Sequence, residues 1–317
     1  MKSSRFDAAT INVGNLSMGG TGKSPHIEYL IRLLKDDYSV ATLSRGFGRT
    51  ERGFKIADVN STAKDIGDEP LQFFKKYGDQ IKVSVEANRV LGAMDLFFKH
   101  PEINVLLLDD AYQHRAIHAD LNILLTDYNH PFYSDFILPL GNLREARSGK
   151  KRADIIVVTK CPELSDQEKK SIIERIKPTE NQKVFFSEIA YGQLVPLETS
   201  IVPTSNYILV TGIANANPLI DHLNSKGKIL HHFKYNDHHK FRVEELNEIH
   251  NLFDKFVGEK PVIITTEKDA MRILCDEFSE ALKNKPWFYQ PIEVAVDKQE
   301  AFDKAILEYV KENNRNN

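Results

Sequence analysis

The segment of residues 11–24, INVGNLSMGGTGKS, constrains the fold more than any other part of the sequence. Its apolar start is typical of the end of a strand, and residues 26–35 are typical of a helix. Glycines between a strand and a helix let backbone N–H groups approach an anion closely, and the helix adds the positive end of its dipole. Lys23 would reach the terminal phosphates of a nucleotide, and the Ser24 hydroxyl would hold Mg²⁺. The segment therefore predicts a phosphate-binding loop.

The loop differs from the usual pattern GxxxxGK[ST] because Ser17 stands where the first glycine belongs. It also resembles the variant KGGxGK[ST], with Met18 in place of the first lysine. The alternative is a glycine-rich turn that contains a lysine by chance. A position between a strand and a helix favours the phosphate loop, since the binding mechanism requires that arrangement. The predicted nucleotide-binding residues are Ser17, Met18, Gly19, Gly20, Thr21, Gly22, Lys23 and Ser24.

Strand-like and helix-like segments alternate along the first half of the chain, which is typical of a mostly parallel sheet flanked by helices. Residues 192–206 contain two prolines and small polar residues, which indicate a domain boundary. A second strand–helix alternation follows this stretch. The sequence thus predicts an α/β protein of the phosphate-loop NTPase type, with a core domain over residues 1–198. A smaller α/β domain would span residues 199–317, and its last helix could pack back on the core.

A second strong signal is the run NVLLLDD at residues 104–110, where an apolar strand ends abruptly in Asp109 and Asp110. In nucleotide hydrolases and kinases such a strand runs beside the phosphate loop and presents an aspartate to the metal. The alternative is a solvated turn after a strand. Beside a phosphate loop, the metal site is the favoured interpretation, with Ser24, Asp109 and Asp110 as its candidate ligands.

A phosphate loop and a metal-binding aspartate indicate NTP·Mg²⁺, but they do not separate a hydrolase, a switch and a kinase. A kinase also needs a carboxylate near the hydroxyl that accepts the phosphoryl group. Asp68 is the best candidate, since it lies at the predicted start of a helix with Glu69 beside it. The alternative role for Asp68 is that of a helix N-cap.

Histidines and aspartates cluster at residues 231–239, at the end of a predicted strand. Metal chelation is one interpretation, although the residues lack a regular ligand spacing. A structural or exposed polar turn is a second. The third is that His238 orients a catalytic aspartate across a domain cleft.

Composition narrows the classes of protein that fit. The net charge of −3 gives no global reason to expect nucleic acid as a partner. The cysteines, Cys161 and Cys275, have no CxxC partner, which argues against a disulfide framework and fits a reducing compartment. No apolar run approaches the roughly 20 residues that span a bilayer. However, residues 130–143 form an apolar loop, followed by basic residues 150–152. These predict either a solvated helix cap or a basic rim on a lipid-facing loop.

Several motifs together resemble the tetraacyldisaccharide 4′-kinase family, also called the lipid A 4′-kinase family. They occur in family order and are spread over nearly the whole chain, so the match is far more specific than the phosphate loop alone. The matching stretches are VGNLSMGGTGKSP at 13–25, LSRGFGR at 43–49, GDEP at 67–70, LLLDDAYQHR at 106–115, LGNLREA at 140–146, DHH at 237–239 and TTEKDA at 265–270.

The resemblance implies ATP-dependent phosphorylation of the 4′-hydroxyl of a tetraacylated glucosamine disaccharide 1-phosphate, which gives lipid IVA, with ATP and Mg²⁺ as cofactors. It implies that Lys23 and Ser24 serve the ATP phosphates and Mg²⁺, that Asp68 is the catalytic base, and that His238 is paired with it. Asp109 and Asp110 match the family's metal-associated acidic pair. The residues that match motif positions lining the active site, or the turn that closes over it, are Arg45, Phe47, Glu69, Arg89, Gln113, His114, Arg144 and Glu145.

The resemblance also implies a lipid disaccharide substrate and peripheral attachment to the cytoplasmic face of the inner membrane. Family members carry an apolar N-terminal segment ahead of the loop strand, whereas this sequence starts ten residues before Ile11. We therefore expect either a longer natural start or docking through other surfaces, and we expect a monomer. Two other functions fit the phosphate loop alone: another small-molecule kinase or ligase of this loop class, and a nucleotide-driven switch. The co-occurrence of GDEP and DHH argues against the switch.

Overall fold

The structure is a computed structural model that describes residues 3–313. The described chain divides into two compact units. The first unit runs up to Ala190 and resumes at Glu293, and the second unit is Tyr191–Ile292. Within residues 3–313, no helix combines the length and apolar character that crossing a membrane requires.

The first unit is built on a large sheet whose strand order is β14-β8-β7-β6-β1-β5-β2-β4-β3. All neighbours from β8 to β4 in this order pair in parallel, and β3 pairs antiparallel to β4 at the edge. The central strands β1, β2 and β5 are buried along their whole length, as expected for a sheet covered on both faces. The strands are β1 Ala9–Asn15, β2 Val40–Ser44, β3 Lys55–Ile56, β4 Lys82–Val85, β5 Val105–Asp109, β6 Leu121–Asp127, β7 Ile155–Thr159, β8 Lys183–Tyr191 and β14 Ile292–Val296.

Helices of the first unit supply the apolar faces that cover this sheet. Ile27, Leu30 and Phe73 pack with Val13 and Leu107 of the central strands in one buried cluster. This layered arrangement confirms the predicted α/β class, with a mostly parallel sheet flanked by helices. The helices are α1 Lys23–Leu34, α2 Ala63–Ile66, α3 Asp68–Tyr77, α4 Arg89–Lys99, α5 Asp166–Ile176 and α10 Gln299–Asn313.

The second unit has a smaller sheet with the strand order β11-β10-β12-β13-β9. Its strands pair in parallel except β9, which pairs antiparallel to β13. Trp287 and Phe288 are fully buried in it. Its elements are β9 Val195–Pro196, β10 Asn206–Thr211, β11 Lys228–Lys234, β12 Val262–Thr266, β13 Trp287–Gln290, α6 Asn217–Lys226, α7 Val243–Lys255, α8 Glu267–Ile273 and α9 Ser279–Lys283.

The unit boundaries differ from the expected single boundary between residues 198 and 199. The second unit starts at Tyr191 and ends at Ile292, and the chain then returns to the first unit. The reason is burial, because Val294, Phe302 and Ile306 belong to the same apolar cluster as the central strands of the large sheet. Sequence pattern shows that a strand and a helix end the chain, but it does not show which sheet they join.

Candidate functional site

The phosphate loop lies at the carboxyl end of the large sheet, between Asn15 at the end of β1 and Lys23 at the start of α1. Gly22 occupies the N-cap of α1 with a φ of 86°, and Gly19 has a φ of 98°. These left-handed backbone angles favour glycine because other residues have a Cβ. The predicted strand, glycine loop and helix are therefore present, with the helix start facing the edge where parallel sheets bind ligands.

Side chains outside the loop bind three successive carbonyl oxygens of the loop. Lys160 donates to the Gly20 oxygen, the Thr159 hydroxyl donates to the Thr21 oxygen at 2.9 Å, and His26 Nδ1 lies 2.7 Å from the Gly22 oxygen. A carbonyl and the amide of the following residue point in opposite directions across one peptide plane. Fixing the last two carbonyls therefore fixes the N–H directions of Gly22 and Lys23, the groups that an anion would meet.

His26 is fully enclosed and serves the loop as a neutral ring. Its Nδ1 faces a carbonyl oxygen, so Nδ1 carries the hydrogen, and Nε2 accepts from the Ser187 hydroxyl at 3.1 Å. Burial lowers the pKa of His26 to about 4, against the opposing hydrogen bond to Gly22. The ring thus joins the loop helix to strand β8 as an uncharged hydrogen-bonding link.

Lys23, Asp110 and Arg144 form a charged cluster beside the loop. Lys23 Nζ lies 3.7 Å from Asp110 Oδ2, and the Arg144 guanidinium donates to both Asp110 oxygens at 2.8 and 3.2 Å. Arg144 also donates to the Asn15 side-chain oxygen. Burial acts to raise the pKa of Asp110, but Lys23 and Arg144 outweigh it and hold that pKa below its usual value. The cluster therefore holds an ionised Asp110 between two cations.

Asp109 lies in a different environment from its neighbour. It is 8% exposed, and burial, reinforced by Asp110 and Glu69, raises its pKa to about 6. Ser44 donates to Asp109 Oδ2 at 3.3 Å, whereas the buried Asp109 Oδ1 has no hydrogen-bond partner among the described residues. A buried carboxylate oxygen without a donor fits a cation ligand.

The described residues contain no group of three or more His, Cys, Asp or Glu side chains that could hold a metal ion by themselves. Mg²⁺ carried by a nucleotide uses one or two protein ligands together with phosphates and waters, so it does not need such a group. Ser24, the second residue of α1 and largely buried, is the predicted partner ligand.

Basic residues surround the acidic pair from neighbouring elements. Arg89 opens α4, is 3% exposed and donates to the Asp109 backbone oxygen at 3.1 Å. Burial lowers its pKa to about 10, against the opposing carboxylates. The pKa of His114 is lowered mainly by burial and further by the positive charges of Arg89 and Arg45. The structure therefore gathers these predicted lining residues around one acidic centre.

Asp68 is the first residue of α3, and Gly67 holds the N-cap with a φ of 94°. Asp68 is thus half-buried within the first turn rather than at the cap itself. The turn after β2 packs against this helix start, since a Cβ on Gly67 would lie 2.9 Å from the Phe47 carbonyl oxygen. Phe47 is 65% exposed in that turn. Glu69, the next helical residue, acts electrostatically on Asp109, so the start of α3 lies near the acidic pair.

Gln113 and Glu145 form a second polar group below the loop. Gln113 donates to the Asn15 backbone oxygen at 2.9 Å and to Glu145 at 3.0 Å. Glu145 also pairs with Arg115 at 3.0 Å and Arg152 at 2.6 Å. Burial acts to raise the pKa of Glu145, but these partners outweigh it and hold the pKa below its usual value. These contacts attach the LGNLREA stretch to the loop strand.

The basic residues 150–152 were predicted to form either a solvated helix cap or a basic rim on a lipid-facing loop, and their contacts differ from one residue to the next. Lys150 donates to the Ile176 and Lys177 carbonyls at the end of α5, which is a helix cap. Arg152 binds Glu145 and the Tyr112 backbone oxygen. Lys151 is exposed. The expected basic rim is therefore smaller than the sequence suggests.

The histidine cluster lies in the second unit, at and after the end of β11. His232 hydrogen-bonds the Thr211 hydroxyl at 2.8 Å, and His239 hydrogen-bonds Glu245 at 2.9 Å and stacks on Tyr235. His238 is 41% exposed, and its Nδ1 lies 3.3 Å from Arg272 Nη2. His232 and His239 therefore support the local fold, as the second interpretation expected, while His238 has an exposed ring.

Several site residues were missed from the sequence, among them His26, Thr159, Lys160 and Arg272. Thr159 and Lys160 carried a usable signal, because they end a buried strand parallel to β1 and so reach the same sheet edge. His26 is 161 residues from Ser187, and nothing in the local pattern of the sequence links the two.

Comparison with known proteins identifies one family over nearly the whole chain. The sequence model of the family described as tetraacyldisaccharide-1-P 4′-kinase matches residues 1–311. The chain is 41% identical to a tetraacyldisaccharide 4′-kinase of Bacteroides thetaiotaomicron over 100% of this chain and 88% of that protein. It is 43% identical to the protein of that name from Flavobacterium johnsoniae, over 99% and 90% of the two chains.

Among solved structures, the chain is similar to LpxK from Aquifex aeolicus in complex with ATP. The TM-score is 0.73 at 27% sequence identity, and the match covers 98% of this chain and 91% of the other. Neither of the alternatives, another kinase or ligase or a nucleotide-driven switch, is favoured by these similarities. The chain belongs to the tetraacyldisaccharide-1-P 4′-kinase family.

Proposed function

We propose that this protein transfers the γ-phosphoryl group of ATP to the 4′-hydroxyl of a tetraacylated glucosamine disaccharide 1-phosphate, giving lipid IVA. The observation that carries the proposal is the phosphate loop with Lys23 beside Asp110 and Arg144, in a chain that belongs to this family. Phosphoryl transfer passes through a loose transition state, so the protein mainly positions groups and offsets charge. The cations around the loop fit that task.

ATP would lie with its phosphates on residues 17–24, and Lys23 would contact the terminal phosphates. The residues that would hold Mg²⁺ are Ser24 and Asp109, whose buried Oδ1 has no donor among residues 3–313. Bound there, Mg²⁺ would neutralise charge on the β- and γ-phosphates. Asp110, also predicted as a ligand, uses both oxygens to bind Arg144 and would orient Lys23.

Asp68 would accept the proton of the sugar hydroxyl as that oxygen attacks the γ-phosphorus. Its place at the start of α3, beside Glu69 and near the acidic pair, supports this role. His238 would assist the reaction through its ring. Arg45 would balance transition-state charge or bind the 1-phosphate of the substrate. Arg89, buried against the Asp109 backbone, and His114 would line the site.

The test is turnover of Asp68→Asn with radiolabelled γ-phosphate and the lipid disaccharide. We expect a fall of roughly 10²–10⁴-fold with ATP binding kept, because a general base is removed and the loop is intact. Asp79→Asn, just beyond the other end of the same helix, is the matched control and should retain activity. Unchanged turnover in Asp68→Asn would reject Asp68 as the base.

We further infer that the protein docks peripherally on the cytoplasmic face of the inner membrane through residues 136–140. Phe136, Ile137, Leu138 and Leu140 are 61%, 48%, 50% and 86% exposed in one loop. Exposed Arg147 stacks on Phe136 at 5.0 Å. Grouped apolar side chains with an adjacent cation fit the interface of an anionic bilayer.

This apolar loop is joined directly to the phosphate loop, which supports a role in presenting a lipid substrate. Met18 donates its amide to the Asn142 oxygen at 2.7 Å, and Arg144 donates its amide to the Leu16 oxygen at 2.7 Å. Sedimentation with phosphatidylglycerol vesicles tests the docking. Leu140→Asp should reduce the bound fraction, whereas Phe98→Asp, equally exposed at 86% on α4, should not. Equal binding by both variants would reject this loop.

A further inference from the structure

A buried ion pair lies at the carboxyl end of the second sheet, in the TTEKDA stretch that the proposed reaction leaves unexplained. Asp269 is 0% exposed and accepts from the Gly212 amide at 2.9 Å, the Thr266 hydroxyl at 2.6 Å and Arg272 Nη1 at 2.8 Å. The Arg272 side chain is itself only 7% exposed. A charged pair enclosed in this way is held in one geometry by its hydrogen bonds.

The fixed Arg272 guanidinium also contacts His238. It donates to the Gly212 carbonyl at 3.1 Å, and its Nη2 lies 3.3 Å from His238 Nδ1. A guanidinium has only donors, so Nδ1 must act as the acceptor. In the neutral ring the hydrogen is then on Nε2.

The backbone of the turn is fixed from the same point. His238 has a left-handed φ of 58°, which is uncommon for a residue other than glycine. Its amide donates to the Gly212 oxygen at 3.1 Å, and that oxygen is also bound by Arg272. A Cβ on Gly212 would lie 2.9 Å from Asp269 Oδ1, so this close approach requires glycine.

We propose that Arg272 is a positioning residue that holds His238 as the Nε2–H tautomer, with Asp269 fixing Arg272. The inference rests on the proposed role of His238 and specifies it. His238 then presents a hydrogen-bond donor, not a base. His239, whose ring is bound by Glu245 and Tyr235, serves the fold.

The direct test is the tautomer of His238 in the full chain labelled with ¹⁵N-histidine, read by long-range ¹H–¹⁵N correlation at a pH where the ring is neutral. We expect the hydrogen on Nε2 in the wild type and a mixture of tautomers in Arg272→Met. The signals of His239 are the internal reference and should stay unchanged if the turn keeps its fold. A wild-type His238 with its hydrogen on Nδ1 would overturn the proposal.

Kinetics give the second arm. We expect Arg272→Met to lower kcat about 10–100-fold, the range known for partners that orient metal-ligating histidines, with KM for ATP unchanged. Arg272→Lys should lose most of this activity too, because a lysine cannot bind Asp269, Gly212 and His238 together. Arg242→Met is the matched control, since Arg242 is 71% exposed and pairs with Glu245 beside His239.

These arms separate failure of this inference from failure of the proposed function. A wild-type protein with no lipid kinase activity would reject the function, while the tautomer measurement would still decide the role of Arg272. Loss of kcat in Arg272→Met with the His238 tautomer unchanged would show a merely structural arginine and overturn the proposal.

Discussion

The carboxyl end of each sheet carries an aspartate–arginine pair next to a side chain proposed to act in catalysis, Lys23 in one case and His238 in the other. The two pairs differ in burial. Asp110 and Arg144 beside Lys23 have side chains 34% and 23% exposed. Asp269 and Arg272 beside His238 are 0% and 7% exposed. The first pair is open to an arriving anion, so its charges act on the ligand. The second pair is closed, so its charges act on the position of one ring.

This difference predicts which step each site affects. Changes at the open pair should alter both ATP binding and catalysis, because the charges face the phosphates. Changes at the closed pair should alter catalysis alone. The comparison can be tested from the largest expected effect to the smallest.

Among the tests of this comparison, the largest effect is expected for Lys23→Met, which removes the cation that lies 3.7 Å from Asp110 in the open pair. We expect kcat to fall about 10²–10³-fold, the usual cost of removing one group that stabilises transition-state charge, together with a higher KM for ATP. Steady-state kinetics measure both values. Lys35→Met is the control, since Lys35 follows the far end of α1 and pairs with Asp36. An unchanged KM for ATP in Lys23→Met would contradict the distinction between the open and the closed pair, because an unchanged KM is what we expect for Arg272→Met at the closed pair.

The next effect is the pH dependence of the free energy of unfolding that buried His26 causes. His26 has a pKa of about 4 when folded and about 6.5 when unfolded, so protons bind the unfolded chain first as the pH falls. The free energy of unfolding should therefore be fully present above pH 6.5 and decrease by roughly 3 kcal/mol towards pH 4. In His26→Asn, which keeps an N–H donor near the Gly22 oxygen, this part of the decrease should disappear. Urea unfolding between pH 4 and 8 measures it.

His250 gives the matching measurement in the second unit. Burial lowers its pKa to about 4 as well, and its Nε2 accepts from Trp287 at 2.9 Å. If the units unfold in separate transitions, His26→Asn should change the pH dependence of the first unit only. A pH dependence identical to the wild type in both transitions would show that His26 is not held neutral.

The smallest effect is expected for the buried carboxylate that links α1 to α3. Glu28 is 0% exposed and accepts from Gln72 Nε2 at 2.6 Å and Lys76 Nζ at 2.5 Å. Glu28→Gln should lower the free energy of unfolding by about 1.5–3 kcal/mol, since hydrogen bonds to a charged group are lost. Glu51→Gln, 60% exposed and paired with Lys55, should cost less than about 1 kcal/mol. Equal losses in the two variants would contradict this role for Glu28.

The sequence predicted the parts of the molecule that are formed by residues close together in the chain. The glycine loop, Lys23 and the paired aspartates could be found because strand, turn and helix signals place them in one short stretch. The pairing of Asp110 with Arg144 spans 34 residues, and that of Arg272 with His238 also spans 34. Such contacts depend on which strands are neighbours, so motif matching named Arg144 and His238 without naming what holds them.

The same limit explains the unit boundary. Residues 292–296 have the pattern of a strand, but their place beside β8 goes with burial of Val294 and Val296 against residues that are distant in sequence. Prolines between residues 192 and 206 mark the first connection between the units, and Pro291 precedes the return at Glu293. A single proline between two strand-like runs does not show that the chain changes sheets, so the second boundary was not predicted.

The most direct test of the whole account is the product formed by the wild-type protein from ATP labelled on its γ-phosphate and tetraacylated disaccharide 1-phosphate. We expect label in a chloroform-soluble product, with ³¹P NMR placing the new phosphate on the 4′-oxygen. Label released only as inorganic phosphate, or attached to another hydroxyl, would contradict it.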